Sequence, residues 1–127
     1  METIYILQPG EYIIREGESS KGFYILRSGV LEVKKQNVIV AEITEPETIF
    51  GEMSDILGEP RTCSVVAKVV SNVSYVQQSI RDIVRDKPEL TMKILYSLAK
   101  NLKHTTEGYW LVITDQVEER GRNIAIL

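Results

Sequence analysis

The sequence predicts a mainly β domain, an antiparallel sandwich or roll, followed by C-terminal helices, and three observations carry that expectation. Residues 4 to 78 are filled by short runs of β-branched and aromatic residues, each cut by a turn signal. The cuts recur at roughly 8 to 12 residues, a spacing typical of antiparallel all-β domains. After Gln78 the apolar period lengthens from two residues to the 3.6 of a helix.

The first run, "IYIL", starts the sheet almost at Met1, and "PGEYIIREGE" follows after a Pro-Gly turn. In "FYILRSGVLEVKK" apolar and polar residues alternate on both sides of Gly29, as strands do with one face on a core and the other in water. "NVIVAEI", "TCSVVAKVV" and "NVSYVQQ" supply the remaining strands. Ser79, followed three residues later by Asp82, resembles a capping box and opens a short helix, "IRDIVRD". Pro88 suits the first turn of a second helix running to about Glu118, with Ile94, Leu95, Leu98, Leu102, Val112 and Ile113 at helical spacing. At 1.5 Å per residue it is about 45 Å long, more than a small roll covers. Its stripe through Leu98, Leu102, Thr105, Tyr109, Val112 and Gln116 repeats near 3.5 residues and pairs most simply with the same helix of a second chain, giving a homodimer. The alternative is a helix that breaks at Gly108 and folds back on its own roll.

Composition narrows the function. The chain has 127 residues, 43% hydrophobic and 26% charged, which suits one globular domain, residues 1–127, with its own core. One cysteine, Cys63, and one histidine, His104, exclude an internal disulfide, a zinc cluster and a Ser/His/Asp or Cys/His catalytic set, so no metal, no cofactor and no enzymatic activity are expected. His104 reads as a surface residue. The net charge of -3 and the scattered basic residues give no footprint for direct nucleic-acid binding. No secretory signal or membrane-spanning run is visible, so a reducing cytoplasmic location is expected.

The stretch "FGEMSDILGEPRTCSVVA", residues 50 to 67, carries the chemistry. Gly51 begins a turn, and "EMSDIL" is long enough for one or two helical turns before Gly58 and Pro60 stop it. Amides of Met53 and Ser54 would then point at one spot and suit a phosphate oxygen. Arg61 adds a charge-assisted contact, with Thr62 and Cys63 offering a hydroxyl and a further amide. Glu52 repels phosphate but accepts from a hydroxyl such as a ribose 2'-OH. From residue types alone two readings stand side by side: a nucleotide site, or an ion pair between Glu52 and Arg61 across a surface loop.

"PGEYIIREGESSKGFYILRSGVLEV" followed by "IFGEMSDILGEPRTCSVVA" closely resembles the cyclic nucleotide-binding domain shared by bacterial catabolite-activator-type regulators, cyclic-nucleotide-dependent kinases and gated ion channels, over residues 5 to about 118. The resemblance implies a jelly-roll β-roll (1–78) with a phosphate-binding cassette (50–63), a helical lid and dimerisation helix (79–118) and a tail (119–127). Gly17, Gly29 and Gly51 match the family's structural glycines. Glu52 would accept from the ribose hydroxyl, Arg61 would bind the exocyclic phosphate oxygens, and the amides of Met53, Ser54 and Cys63 would complete the anion hole, with Thr62 offering its hydroxyl to the phosphate. The implied ligand is cAMP or cGMP. Thr105 and Thr106 fall where the catabolite-activator branch places hydroxyls against the base, and Tyr109 and Trp110 would stack on a base or pack at the dimer seam.

The sequence departs from the pattern at Asp55, where related cassettes carry leucine to pack on the roll and pass the binding signal to the helices. A carboxylate there suits the helix N-terminus but adds like charge near a phosphate. The chain also ends at "DQVEERGRNIAIL", where a transcription regulator continues into a helix-turn-helix domain, so either the sequence is a piece of a longer protein with an effector domain or a stand-alone sensor acts through a partner. The expected function is a cyclic nucleotide sensor whose ligand moves the C-terminal helices; the alternative is an interaction domain that kept the roll and lost the ligand, with Asp55 as its argument.

Overall fold

The computed structural model describes residues 2–19 and 21–120, with the side chains of residues 111–120 outside the description. The described residues include eight strands: β1 Glu2–Leu7, β2 Tyr12–Ile14, β3 Phe23–Ser28, β4 Leu31–Lys35, β5 Val38–Ile43, β6 Ile49–Phe50, β7 Ser64–Ala67 and β8 Ser71–Val76. Helix α1, Glu52–Leu57, lies between β6 and β7; α2, Ile80–Asp86, and α3, Pro88–Arg120, follow β8. The strands form two four-stranded antiparallel sheets, ordered β1-β8-β3-β6 and β2-β7-β4-β5. This is the antiparallel roll that the turn spacing predicts.

The core lies between the sheets, where Leu7, Leu26, Phe50 and Val73 of one meet Ile14, Leu31, Val65 and Ala67 of the other. Each fully buried leucine contributes about 1.5–3 kcal/mol. Strict alternation fails in β3, where Ile25 and Leu26 are both buried. A register shift between Leu26 and Ser28 accompanies it. The opposite face of this central strand is also covered: Phe23, Ile25, Ile49 and Val76 are buried, and Ile83 of α2 is wholly inaccessible. The edge strands differ. Ile4 and Ile6 of β1, and Val38, Ile39 and Val40 of β5, stay exposed, so their β-branched runs do not report burial within this chain. Gln36 and Asn37, both at positive φ, make the tight turn between β4 and β5.

At α2 only half of the expected capping box forms. The Ser79 hydroxyl accepts from the Asp82 N–H at 3.3 Å, while the Asp82 carboxylate pairs with Arg85. An aspartate is a methylene shorter than the glutamate such a box uses, and Arg85 lies one turn away. Helix α3 runs unbroken through Gly108, so the predicted alternative of a break there does not occur. One glycine in a long helix costs only about 1 kcal/mol.

The chain divides into two compact units, Met1–Thr91 and Met92–Leu127. The first holds the roll, the loop containing α1, α2 and the start of α3. The second contains the rest of α3, whose described part carries exposed Met92, Leu95, Tyr96, Leu102, Tyr109 and Trp110. Val112, Ile113 and Gln116 of the predicted stripe, and the tail from residue 121, lie outside what is described.

Candidate functional site

Residues 51 to 63 cross from β6 in one sheet to β7 in the other. Gly51 precedes α1 at φ +80°, a left-handed conformation that a side chain resists. A methyl there would also come within 3.1 Å of Arg61 Nη1 and 3.2 Å of Ile14 Cδ1. The absence of a side chain lets the guanidinium reach the Gly51 carbonyl, to which Nη1 donates. Gly58, also left-handed, ends α1, and its N–H and that of Glu59 donate to the Ser54 carbonyl.

Glu52 and Arg61 are both buried, at 3% and 6% exposure. Among the ion pairs of the described residues, none joins them. Burial pushes the Glu52 carboxyl above its ordinary value, against the smaller opposing pull of its own backbone N–H and of Arg61. Arg61 donates instead to two carbonyls, Gly51 O at 2.5 Å and Gly22 O at 3.4 Å. Its guanidinium carbon sits 5.6 Å from the centre of the Tyr24 ring, a cation–π arrangement. Tyr24 in turn stacks on Phe50 and leans on Tyr75. The main chain fixes Arg61 as well, since its N–H donates to Glu18 O and its carbonyl accepts from Gly17 N–H. A planar cation held on an aromatic face beside a desolvated acid can receive an anion and a hydroxyl at neighbouring points.

The other predicted residues divide. Ser54 is buried, Met53 is 56% exposed, Thr62 is exposed, and Cys63 is a half-buried free thiol. Lys35 Nζ donates to the Thr62 carbonyl at 2.8 Å and pairs with Glu16, which accepts from the Gln36 N–H. That N–H, with help from Lys35, holds the Glu16 carboxyl below its ordinary value. This network braces the exit of the loop. Thr105 and Thr106 are exposed on α3, each donating back to the carbonyl four residues earlier, Asn101 and Leu102. His104 is exposed, as its sequence context predicts.

Asp55 does not reach into the loop's interior for a partner. Its Oδ1 accepts from Gly22 N–H at 3.0 Å and its Oδ2 from Ile80 N–H at 3.3 Å. The carboxylate thus holds α1 to the start of β3 and to the start of α2. An open cleft lined by Ile13, Arg15, Lys21, Tyr24, Arg61 and Tyr75 lies on the roll side of Arg61. Tyr24 and Gly22 contact Arg61 and are residues that the sequence analysis did not place at the site.

With this geometry in view, the profile of the cyclic nucleotide-binding domain family matches residues 6–85. The chain belongs to the cyclic nucleotide-binding domain family. Among curated relatives, a cGMP-dependent protein kinase of Plasmodium berghei is 39% identical over 75 residues, 58% of this chain and 8% of the kinase. A CRP-like cAMP-activated global transcriptional regulator of Mycobacterium tuberculosis is 30% identical over 114 residues, 84% of this chain. The chain spans half the length of that regulator. Among solved structures, the Catabolite Activator Protein of Thermus thermophilus superposes with a TM-score of 0.73 at 20% identity, over 87% of this chain and 55% of that one, and so shares the fold. The expected β-roll with C-terminal helices is therefore the fold of this cyclic nucleotide-binding domain. Among the described residues no helix is long and apolar enough to cross a membrane, and no group of three or more His, Cys, Asp or Glu could hold a metal ion.

Proposed function

We propose that this domain binds a cyclic nucleotide, cAMP or cGMP, in the loop of residues 51 to 63 and acts as a non-enzymatic sensor in the cytoplasm. The observation that carries the reading is the burial of Glu52 and Arg61 in one loop without an ion pair between them. Arg61 gives up neutral carbonyls for the phosphate oxygens, a stronger charge-assisted bond. Glu52 accepts from the ribose 2'-OH, which relieves its desolvation. The amides of Met53, Ser54 and Cys63 complete the anion hole, with the Thr62 hydroxyl at its edge. The roll, the helical lid and the tail act as one ligand-responsive domain, 1–127, and ligand binding is passed to the C-terminal helices.

Through the exposed apolar residues of α3 the domain pairs as a homodimer, and Thr105 and Thr106, whose oxygens retain acceptor capacity, face the base. A partner protein or effector domain reads the change. The alternative of a roll that lost its ligand rested on Asp55, and that carboxylate is engaged by two backbone amides rather than left facing an incoming phosphate. Isothermal titration of ligand-free protein with cAMP and with cGMP tests the proposal. Saturable heat with either supports it; no heat at millimolar nucleotide, from protein that mass spectrometry shows to be empty, overturns it.

A further inference from the structure

Four residues of the roll unit form one continuous hydrogen-bonded series. Arg61 Nη2 donates to the Gly22 carbonyl at 3.4 Å, the Gly22 N–H donates to Asp55 Oδ1 at 3.0 Å, and Asp55 Oδ2 accepts from the Ile80 N–H at 3.3 Å. We propose that Asp55 is a positioning residue that, through the Gly22 backbone, ties the Arg61 guanidinium to the first turn of α2, so that an anion drawing Arg61 off the Gly22 carbonyl resets the start of α2.

Each link has a physical reason to transmit rather than absorb displacement. Gly22 offers one donor and one acceptor on either side of a single Cα, and both are used. Its neighbours are fixed: the Lys21 carbonyl accepts from the Tyr75 hydroxyl at 2.7 Å, and Phe23 pairs with Val76 in the sheet. With φ at +74° and Val76 O 2.2 Å from the place a Cβ would take, only glycine fits at position 22. At the far end, the Ile80 N–H is one of the first-turn donors that a helix cannot satisfy internally. Ser79 serves a different one, Asp82 N–H, so Asp55 supplies a tertiary cap for α2 from another element. A carboxylate also suits the positive end of a helix. At the near end, the 3.4 Å contact to Gly22 O is the weaker of Arg61's two carbonyl bonds and is the one an anion displaces first.

The residue that the sequence marks as a departure thus makes hydrogen bonds to two other elements. A leucine at position 55 could accept from neither Gly22 nor Ile80.

The ligand half of this proposal rests on the cyclic nucleotide reading; the linkage itself does not, and the experiment separates them. Amide hydrogen exchange at Ile80 is measured by NMR in ligand-free wild type, Arg61→Lys, Asp55→Asn and the double variant, with thermal melts to subtract global stability changes. Lysine keeps the charge but cannot span both carbonyls. Asparagine keeps the shape but can accept from only one of the two amides in that orientation. Arg61→Lys is expected to speed Ile80 exchange about fivefold in the wild-type background and less than about twofold with Asp55→Asn present, the size of one modest hydrogen bond. If Asp55→Asn does not fold, Asp55→Leu takes its place in the cycle. Ile80 exchange unmoved by Arg61→Lys, or moved equally in both backgrounds, overturns the linkage. In a second arm, cAMP is expected to change Ile80 exchange in wild type and not in Asp55→Asn, while the Met53 and Ser54 amides respond in both. An Ile80 response retained in the variant overturns the relay, whereas no binding to wild type sinks the nucleotide reading and leaves the ligand-free cycle to decide the linkage.

Discussion

Arg61 and Glu52 lie buried in the same loop, and Arg61 spends its guanidinium on the carbonyls of Gly51 and Gly22 rather than on the Glu52 carboxylate. A loop selected for stability alone would pair its two buried charges or replace them with apolar groups, since each unpaired ion costs several kcal/mol of desolvation. Keeping both apart leaves an acid and a base ready to meet separate parts of one ligand. Four predictions follow the chemistry of this loop and of α3.

Glu52→Gln is expected to raise the melting temperature of the ligand-free domain by a few degrees at pH 7, because it removes a desolvated carboxylate. The raised carboxyl value sets the pH dependence. Wild type gains from a protonated Glu52 only at low pH and loses that stability as pH rises through the folded-state value, so the gap between variant and wild type should widen upward from about pH 4. Melts from pH 4 to 8 measure it. The same variant should bind cyclic nucleotide about tenfold more weakly, because a neutral amide oxygen accepts a hydroxyl proton less strongly than a carboxylate does. Stability and affinity would then move in opposite directions.

Arg61→Ala should weaken cyclic nucleotide binding about tenfold or more and destabilise the empty domain by about 1–3 kcal/mol, because the Gly51 and Gly22 carbonyls lose their donor. Arg61→Lys separates the two effects. It preserves charge for the phosphate but has no planar fork to span both carbonyls or to lie on Tyr24. Titration calorimetry and urea unfolding of the pair give the comparison; affinity unchanged in Arg61→Ala would remove Arg61 from the site.

Gly51→Ala should cost about 1–3 kcal/mol from the left-handed backbone alone. Its methyl also crowds Arg61 Nη1, so the guanidinium must shift and nucleotide affinity should fall with stability. Chemical unfolding and titration on the same preparation check this. Gly58→Ala is the control: the backbone strain is similar, but nothing lies within 4 Å of the added methyl, so affinity should be spared.

Much of this was readable from residue order because the signals are local. The strands announced themselves by β-branched runs between turns, α2 by Ser79, and the loop around α1 by its bounding Gly51 and Gly58. What stayed hidden depends on backbone groups far along the chain. Asp55 looked like unwanted charge because its partners are amides 33 and 25 residues away, and every residue carries an amide. The carbonyls that hold Arg61 are equally anonymous in sequence. Strand β6 is only Ile49–Phe50, too short to show alternation, and it was found only by its pairing with Tyr24 and Ile25. Exposure on β5 was hidden for the opposite reason: "VIVAEI" looks like a core strand, but lies at a sheet edge with Val38, Ile39 and Val40 in solvent.

Leu102→Glu tests the reading of α3. Leu102 is 67% exposed and Tyr109, seven residues on, is 62% exposed, so this heptad-spaced face is uncovered within one chain. If it is the seam of a homodimer, a glutamate from each chain meets its own copy there, combining like-charge repulsion with burial of two carboxylates, and the dimer should dissociate at least about a hundredfold more readily. Sedimentation equilibrium should then find a concentration-dependent dimer for wild type and a monomer for the variant. The roll carries its own core, so the melting of residues 1–91 should be nearly unchanged. A wild-type chain that sediments as a monomer at every concentration would remove the homodimer, and a variant that stays dimeric would place the contact surface elsewhere than on this face of α3.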